Sequence, residues 1–323
     1  MSEILYDEIP VVDLADFASQ ESTRREKFVQ TLGHAFNNIG FVAVKNHGLS
    51  DAITQPLYNA VKDFFALPEA TKLTYEIKGI GGQRGYTAKG KEHAKGRNVG
   101  DLKEFYHLGQ PLAEAELIPL GYPQNIFPQE VPEFESATVA AYRILETAGM
   151  QILRAIALYL KLDEFYFDEQ VKRGNSILRP IHYFPLANSE HIPENAVRAA
   201  AHGDINLITL LMGASAAGLE ILRHDGKWIP VTALPNQIVV NVGDMLSRLT
   251  NNKLKSTIHR VVNPPAALNH TSRYSIPFFL HPISTMDLSC LASCIDAEHP
   301  KQFEDITAGE FLTQRLREIG LIA

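Results

Sequence analysis

From Ser176 onward the chain breaks into short β-rich runs: "SILRPIHYFPL", "INLITLLMG", "GLEILRHDGKWIPV", "QIVVNVGDML", "STIHRVVNP" and "RYSIPFFLHP". Gly, Asn, Asp and Pro divide them, and no other feature constrains the fold as much. Strands of this length and spacing close into a sandwich or a barrel. Asp225-Gly226, set between two such runs, is a hairpin turn signal.

Upstream, helices alternate with short strands. "IPVVDL" from Ile9 and "FVAVKNHG" from Phe41 read as strands. Between them Phe28, Leu32, Ala35 and Phe36 recur at helical spacing, with Gly40 as the stop. Ser50 reads as the N-cap of a helix whose apolar face holds Ile53, Leu57, Val61 and Phe64 or Phe65. A long helix fills 132–162 and another closes the chain at "AGEFLTQRLREIG". The expectation is a mostly β protein with α elements. Residues 1–175 form an N-terminal region of helices and short strands packing on a β core, 176–323, and the two form one continuous unit, because no Pro-, Gly- or Ser-rich linker separates them.

Apolar residues make up 45% of the 323 and charged residues 21%, ordinary values for a soluble enzyme. The net charge of -7 argues against nucleic-acid binding, which favours a basic balance. No apolar run reaches the roughly 18 residues of a membrane span. The start, "MSEILYDEIPVVDL", lacks the basic-then-apolar layout of a signal peptide. These features predict a cytoplasmic protein with a small-molecule partner and neither a nucleic-acid nor a membrane partner. Cys290 and Cys294 read as two free thiols. Nothing in the sequence fixes the oligomeric state.

The stretch "AAHGDINLITLL", 200–211, reads as a strand that carries His202 and Asp204 two residues apart, and so on one face. A third ligand is available downstream, His259 in "KSTIHRVVN". Two histidines and a carboxylate make the facial triad of non-haem Fe(II), which leaves the opposite face of the metal open for O2 and a chelating molecule. With 12 histidines in the chain, a His-x-Asp pair alone is a weak signal. His34, His47, His107, His224 and His281 read as structural or surface residues.

The company of that pair is more specific. "HGD" at 202–204, "NVGDMLSRLTNNKLKSTIHRVV" at 241–262 and "RYS" at 273–275 resemble the signature of the 2-oxoglutarate- and Fe(II)-dependent dioxygenases, in the isopenicillin N synthase-like subgroup. "IPVVDL" and "GFVAVKNHG" match that group's N-terminal region, so the likeness covers nearly the whole chain. The resemblance implies a double-stranded β-helix, or jelly roll, flanked by helices. It implies Fe(II) on His202, Asp204 and His259, and the far carboxylate of 2-oxoglutarate on Arg273 and Ser275. An arginine fork grips a carboxylate bidentately, and a hydroxyl adds a donor. The implied reaction consumes O2 and 2-oxoglutarate, releases succinate and CO2, and oxidises a C–H bond of a small molecule, most often to the alcohol. Asp204, where the halogenating branch has Gly or Ala, argues against halogenation.

The match departs at one strand. Many plant members carry Asn-x-Tyr before the His-x-Asp; here "LRPIHYFP" places His182 and Phe184 at those positions and turns Tyr183 to the other face. His182 then either donates to the bound carboxylate or stands by as an inert neighbour. Isopenicillin N synthase itself keeps the triad and the Arg-x-Ser without using 2-oxoglutarate, so an oxidase or oxidative cyclase of that type is the alternative. A non-catalytic β-sandwich binding module is a more distant one.

On the substrate side, 79–109 is rich in Gly and charge. From Lys78 to Lys103 seven basic residues stand against two acidic ones. A loop that closes over the metal to exclude water and receives an anionic substrate fits this composition, with Arg84, Tyr86, Arg97 and Phe105 as candidate contacts. A solvated surface loop fits it equally.

Overall fold

The computed structural model describes residues 5–92, 101–186, 197–212, 218–231 and 236–322. Its strands are β1 (Val11–Asp13), β2 (Phe41–Lys45), β3 (Gly85–Thr87), β4 (Lys103–His107), β5 (Ile177–Leu178), β6 (Ile181–Tyr183), β7 (Ala199–His202), β8 (Ile208–Met212), β9 (Leu219–Leu222), β10 (Trp228–Pro230), β11 (Ile238–Val242), β12 (His259–Val261) and β13 (Arg273–Leu280). They make two sheets. The larger runs β1-β2-β11-β8-β13-β6-β4-β3, with β5 also on β13; the smaller runs β10-β9-β12-β7. Only β1 and β2 pair in parallel among the registered pairs of the large sheet. The architecture is the jelly roll, and strands from the N-terminal part of the chain extend its large sheet on both sides.

The alternation of the central strands explains why two layers cover them. On β13, Ile276, Phe278 and Leu280 join a core shared with the helices, while Arg273, Ser275, Pro277 and Phe279 face the space between the sheets. On β8, Ile208, Leu210 and Met212 go to the helices, and Thr209 and Leu211 go inward. The period of two is that of a pleated strand. The helix Glu133–Tyr159 lies on the outer face, where Tyr142 meets Phe278 edge-on at 4.8 Å. Truncating Phe278 to Ala would cost about 3–5 kcal/mol as a buried cavity. The helices Ser22–Asn38 and Asp51–Ala66 pack on the same long helix. Between the sheets a smaller core gathers Phe41, Phe105, Ile181, Tyr183, Ile221 and Val261.

"AAHGDINLITLL" is not one strand. β7 ends at His202, the chain turns through 203–207, and β8 starts at Ile208 in the other sheet. Asn206 makes the turn: its amide donates to the Ile208 carbonyl at 2.5 Å, and its Oδ1 accepts from Thr209 Oγ1 at 3.2 Å. The helix Asp244–Leu249 docks its start on the turn, with Asp244 N donating to Asp204 O at 2.7 Å and Met245 N to Ile205 O at 3.2 Å. Helix-terminal N–H groups that lack an intrahelical partner are thereby satisfied. Local alternation did not expose this crossing, because a tight polar turn inside an apolar run keeps the look of a strand.

Candidate active site

His202 closes β7 and His259 opens β12, and the two are direct register partners in the small sheet. His202 Nδ1 faces the Ala200 carbonyl at 2.7 Å and His259 Nδ1 faces the Thr257 carbonyl at 3.2 Å. A carbonyl only accepts, so both Nδ1 atoms carry the proton and both Nε2 atoms keep a lone pair. Those Nε2 atoms stand 4.0 Å and 3.8 Å from Asp204 Oδ1. Asp204 Oδ2 accepts from Thr209 Oγ1 and Asn241 Nδ2, both at 2.7 Å, which reserves Oδ1 for the space between the histidines. One ligand atom from each of the three residues lies within 4.8 Å of the others. Outer partners that fix the tautomer and orientation of each ligand are what a metal site needs, so this donor set fits a divalent ion with open positions.

The electrostatics agree. Burial in the cleft and the neighbouring His259 pull His202 down to about 4, so its imidazole is neutral at pH 7. Burial alone would push the Asp204 carboxyl up. His259, His202 and the hydrogen bonds from Asn241 and Thr209 outweigh it and hold the carboxyl below its usual range. A neutral imidazole and an ionised carboxylate are the ligating protonation states.

Two cavities meet at these residues. The narrower, about 70 Å³, lies between the sheets and is lined by Tyr183, Thr209, Asn241, His259, Arg273 and Ser275, among others. Arg273 is 1% exposed, and its guanidinium sits over the Tyr183 ring at 4.9 Å. The wider, about 270 Å³, opens beyond His202 and Asp204. Gln83, Glu92, Lys103, His107, Arg179 and His281 line one side of it. Leu312, Arg315, Leu316 and Ile319, on or just after the C-terminal helix Ala308–Glu318, cover the other. Arg315 ties that helix to Asp244 at 2.8 Å and pairs within the helix with Glu318 at 2.7 Å.

His182 does not face either cavity. Tyr183 pairs with Arg273, so Tyr183 points inward and His182 points to the opposite face. There its Nδ1 meets Glu104 Oε1 at 2.7 Å, its Nε2 meets Ser272 Oγ at 2.9 Å, and its ring stacks on Tyr274. The inward position is one residue away from the one assumed in the sequence. Arg84 is also displaced from the expected place: 1% exposed, it bonds the Gln83 carbonyl at 2.7 Å and Asn175 Oδ1 at 3.2 Å, and Gly109 is bare to admit it. Its neighbour Gln83 reaches the cavity instead. Tyr86 donates to the buried Glu104 at 2.5 Å on the outer face. Phe105 lies behind the cavity wall under the Arg179 guanidinium, 4.4 Å away. Arg97 lies outside the described residues.

Among the described residues of 78–103, Lys103 is the basic residue that lines the wide cavity, and it is paired. Lys103 bonds Glu92 at 2.7 Å and Asp101 at 2.8 Å, all three buried. Arg179 pairs with Glu92, donates to His107 Nε2 and lies between the Phe105 and Phe279 rings. His107 and His281, read as structural or surface from sequence, both line the cavity. The signal that finds His281 is parity: from Arg273 inward, every second residue faces the same way, through Phe279 to His281. Arg179 stands in the same relation to Tyr183.

A jelly roll that turns two histidines and a carboxylate toward a double cavity defines the mononuclear non-haem oxygenases. Residues 9–130 match the family described as non-haem dioxygenase in morphine synthesis N-terminal, and 175–282 match the 2OG-Fe(II) oxygenase superfamily. The chain is 32% identical to a proline hydroxylase, buaE, of Petromyces alliaceus over 96% of its own length and 98% of that protein. A 2OG-Fe(II) oxygenase family protein from Caulobacter crescentus superposes with a TM-score of 0.84 at 44% identity, covering 96% of this chain and 99% of that one. A full-length Neurospora crassa protein, solved in complex with α-ketoglutarate and thymine, gives 0.85 at 30% identity over 98% and 99%. The chain belongs to the 2OG-Fe(II) oxygenase superfamily. It is an oxidoreductase that uses Fe(II), 2-oxoglutarate and O2.

Proposed function

We propose that His202 Nε2, Asp204 Oδ1 and His259 Nε2 hold the iron, that Arg273 and Ser275 bind the far carboxylate of 2-oxoglutarate in the narrow cavity beside Tyr183, and that a small organic substrate enters the wide one to be hydroxylated. The observation that carries this reading is the junction of the two cavities: His202 and Asp204 line both. Co-substrate and substrate then approach the same metal from different sides.

Bound iron and 2-oxoglutarate supply the oxidation: substrate C–H, 2-oxoglutarate and O2 become substrate C–OH, succinate and CO2. The chain's own residues do the rest. Arg273 neutralises and aligns a carboxylate in a buried slot, where a charge-assisted pair is strongest. Thr209 and Asn241 keep Asp204 ionised and aimed. Leu312, Leu316 and Ile319 roof the wide cavity and keep water from the reacting centre.

The size of the wide cavity suits a compact ring-sized molecule, in line with a proline hydroxylase and a thymine-bound protein among the similar chains. A reducing, cytoplasmic setting accords with the two unbridged cysteines. The test is an anaerobic titration of Fe(II)-loaded protein with 2-oxoglutarate, followed by visible absorption. A saturable new band is expected from the wild type, and a band displaced to higher 2-oxoglutarate concentration from Arg273→Met. No band, or identical titrations, would overturn the assignment.

A further inference from the structure

Arg198 directly precedes β7, the strand that carries His202, and is 0% exposed. Its backbone N–H donates to Asn263 Oδ1 at 3.1 Å, and its Nη2 donates to the Thr271 carbonyl at 2.9 Å. Its Nε and Nη1 have no hydrogen-bond partner among the described residues, and no described carboxylate acts on it. Arginine is almost never fully buried without a counter-charge, because nothing then offsets the lost hydration.

Arg198 itself lines neither cavity, but it stands behind the wall of the narrow one. The carbonyl it holds belongs to Thr271, two residues before Arg273. The next residue along, Ala199, lines the narrow cavity with Tyr183 and Arg273. The two guanidiniums feel each other: burial first, then the Arg273 charge, hold Arg198 below its ordinary value. Tyr183 is the third member of the cluster, close enough to act on Arg198 while its ring lies under Arg273. Two buried cations thus sit at one end of a cavity of about 70 Å³ and repel one another. Inside a protein a charge is screened far less than in water, so Arg198 acts on an anion in that cavity without touching it.

We propose that Arg198 is a positioning residue for 2-oxoglutarate: it holds the approach to Arg273 through Thr271, and it adds a second positive charge that the far carboxylate of the co-substrate compensates. This rests on the assignment of the narrow cavity to that carboxylate, and it deepens it. The cavity is a two-arginine anion site in which Arg273 makes the contact and Arg198 supplies field from behind the wall. A bound carboxylate relieves the repulsion between the two guanidiniums, so part of the affinity belongs to a residue that the ligand never meets. A 2-oxo acid that lacks the far carboxylate gains far less from it.

The test is the anaerobic absorption titration of Fe(II)-loaded protein with 2-oxoglutarate and with 2-oxopentanoate, which keeps the chelating end and carries a methyl in place of the far carboxylate. Arg198→Gln keeps an N–H donor for the Thr271 carbonyl and loses the charge. It is expected to weaken 2-oxoglutarate about fivefold or more and to leave 2-oxopentanoate within about twofold. Arg198→Lys keeps the charge and should stay within about twofold of wild type for both. A merely structural Arg198 gives another pattern, with Arg198→Gln like wild type or both ligands weakened together, and either result overturns the proposal, as does an equal loss in the Lys and Gln variants. A second readout needs no metal: glutarate should raise the thermal midpoint of metal-free wild type, and raise that of Arg198→Gln by less. No shift in the wild type, or equal shifts, also overturns it. Arg273→Met separates this proposal from the reading beneath it. If that variant keeps the wild-type preference for 2-oxoglutarate over 2-oxopentanoate, the assignment of the cavity is wrong. If it loses the preference while Arg198→Gln keeps it, the role of Arg198 alone is overturned.

Discussion

Asn241 donates its side-chain amide to Asp204 Oδ2 at 2.7 Å, from the middle of β11 to the turn after β7. Thr209 Oγ1 occupies the same oxygen. The pair decides which carboxylate oxygen faces the histidines. Asn241→Leu is therefore expected to lower Fe(II) affinity by roughly 10- to 100-fold, the scale of lost outer-sphere support, with Thr209→Val acting in the same direction. Metal titration of the purified variants, beside circular dichroism to show an intact fold, measures it. Wild-type affinity in both would remove these residues from the metal site.

Arg273 is buried in the narrow cavity with Ser275 two residues on, and Tyr183 beneath the guanidinium. Arg273→Lys keeps the charge and loses the fork. The 2-oxoglutarate dissociation constant should rise roughly 10-fold or more, corresponding to one charged hydrogen bond of about 1.5–3 kcal/mol. Ser275→Ala should cost less. The anaerobic titration reports both.

His281 titrates at about 3 in the folded protein against 6.5 when unfolded, burial being the first cause. Its folded-state pKa is depressed and its charged form is the protonated one. The unfolded chain therefore binds the extra proton first, and stability falls as pH drops below 6.5 until about pH 3. At pH 5 this residue alone should cost about 2 kcal/mol, at ~1.4 kcal/mol per unit. Denaturant unfolding of metal-free protein at pH 7 and pH 5 should show a smaller loss for His281→Phe than for wild type. Equal losses would argue that His281 is not buried in solution.

Gly40 follows the helix Ser22–Asn38 with φ +72°, and a Cβ there would lie 2.2 Å from the Lys255 carbonyl oxygen. Gly40→Ala should destabilise by more than the roughly 1–2 kcal/mol of a left-handed residue, because the clash is with backbone. Thermal unfolding checks it, and a shift under about one degree would contradict the packing.

Arg315 joins the C-terminal helix to Asp244, which itself accepts from Ser256 Oγ at 2.6 Å behind Gly203. The guanidinium is a quarter exposed, so the pair is worth at most about 1 kcal/mol after solvent screening. Arg315→Ala should open the roof of the wide cavity and raise the rate of proteolysis within 308–318 by up to about fivefold. An unchanged rate would mean that the apolar contacts alone hold the helix.

Much of this was legible before any coordinates. The short strands after Ser176, the helix ended by Gly40 and the long helix beginning near Pro132 follow from alternation, helical spacing and turn residues, which act over a few positions. "HGD" and "RYS" pointed to the two ends of the candidate site because their chemistry is local. Reading 200–211 as one strand failed, since a turn made by Asn206 and sealed by Asp244 depends on a helix that lies far along the chain. His182 failed because parity on β6 is set by its partner Arg273, not by the residues around it.

The class of the chain is written in its residue order: a β-rich core, helices on one side, two histidines and a carboxylate, and an arginine two residues before a serine. Which charges are spent and which polar groups remain is a property of the packed molecule alone. Seven basic residues in 78–103 fit an anionic substrate and a solvated loop equally; among the described ones, Lys103 is neutralised by carboxylates of its own segment, Glu92 and Asp101, and Arg84 is buried against Gly109. Charge counts add along a chain, whereas fields cancel through space. What a cavity recognises is therefore set by the pairs that form across the fold.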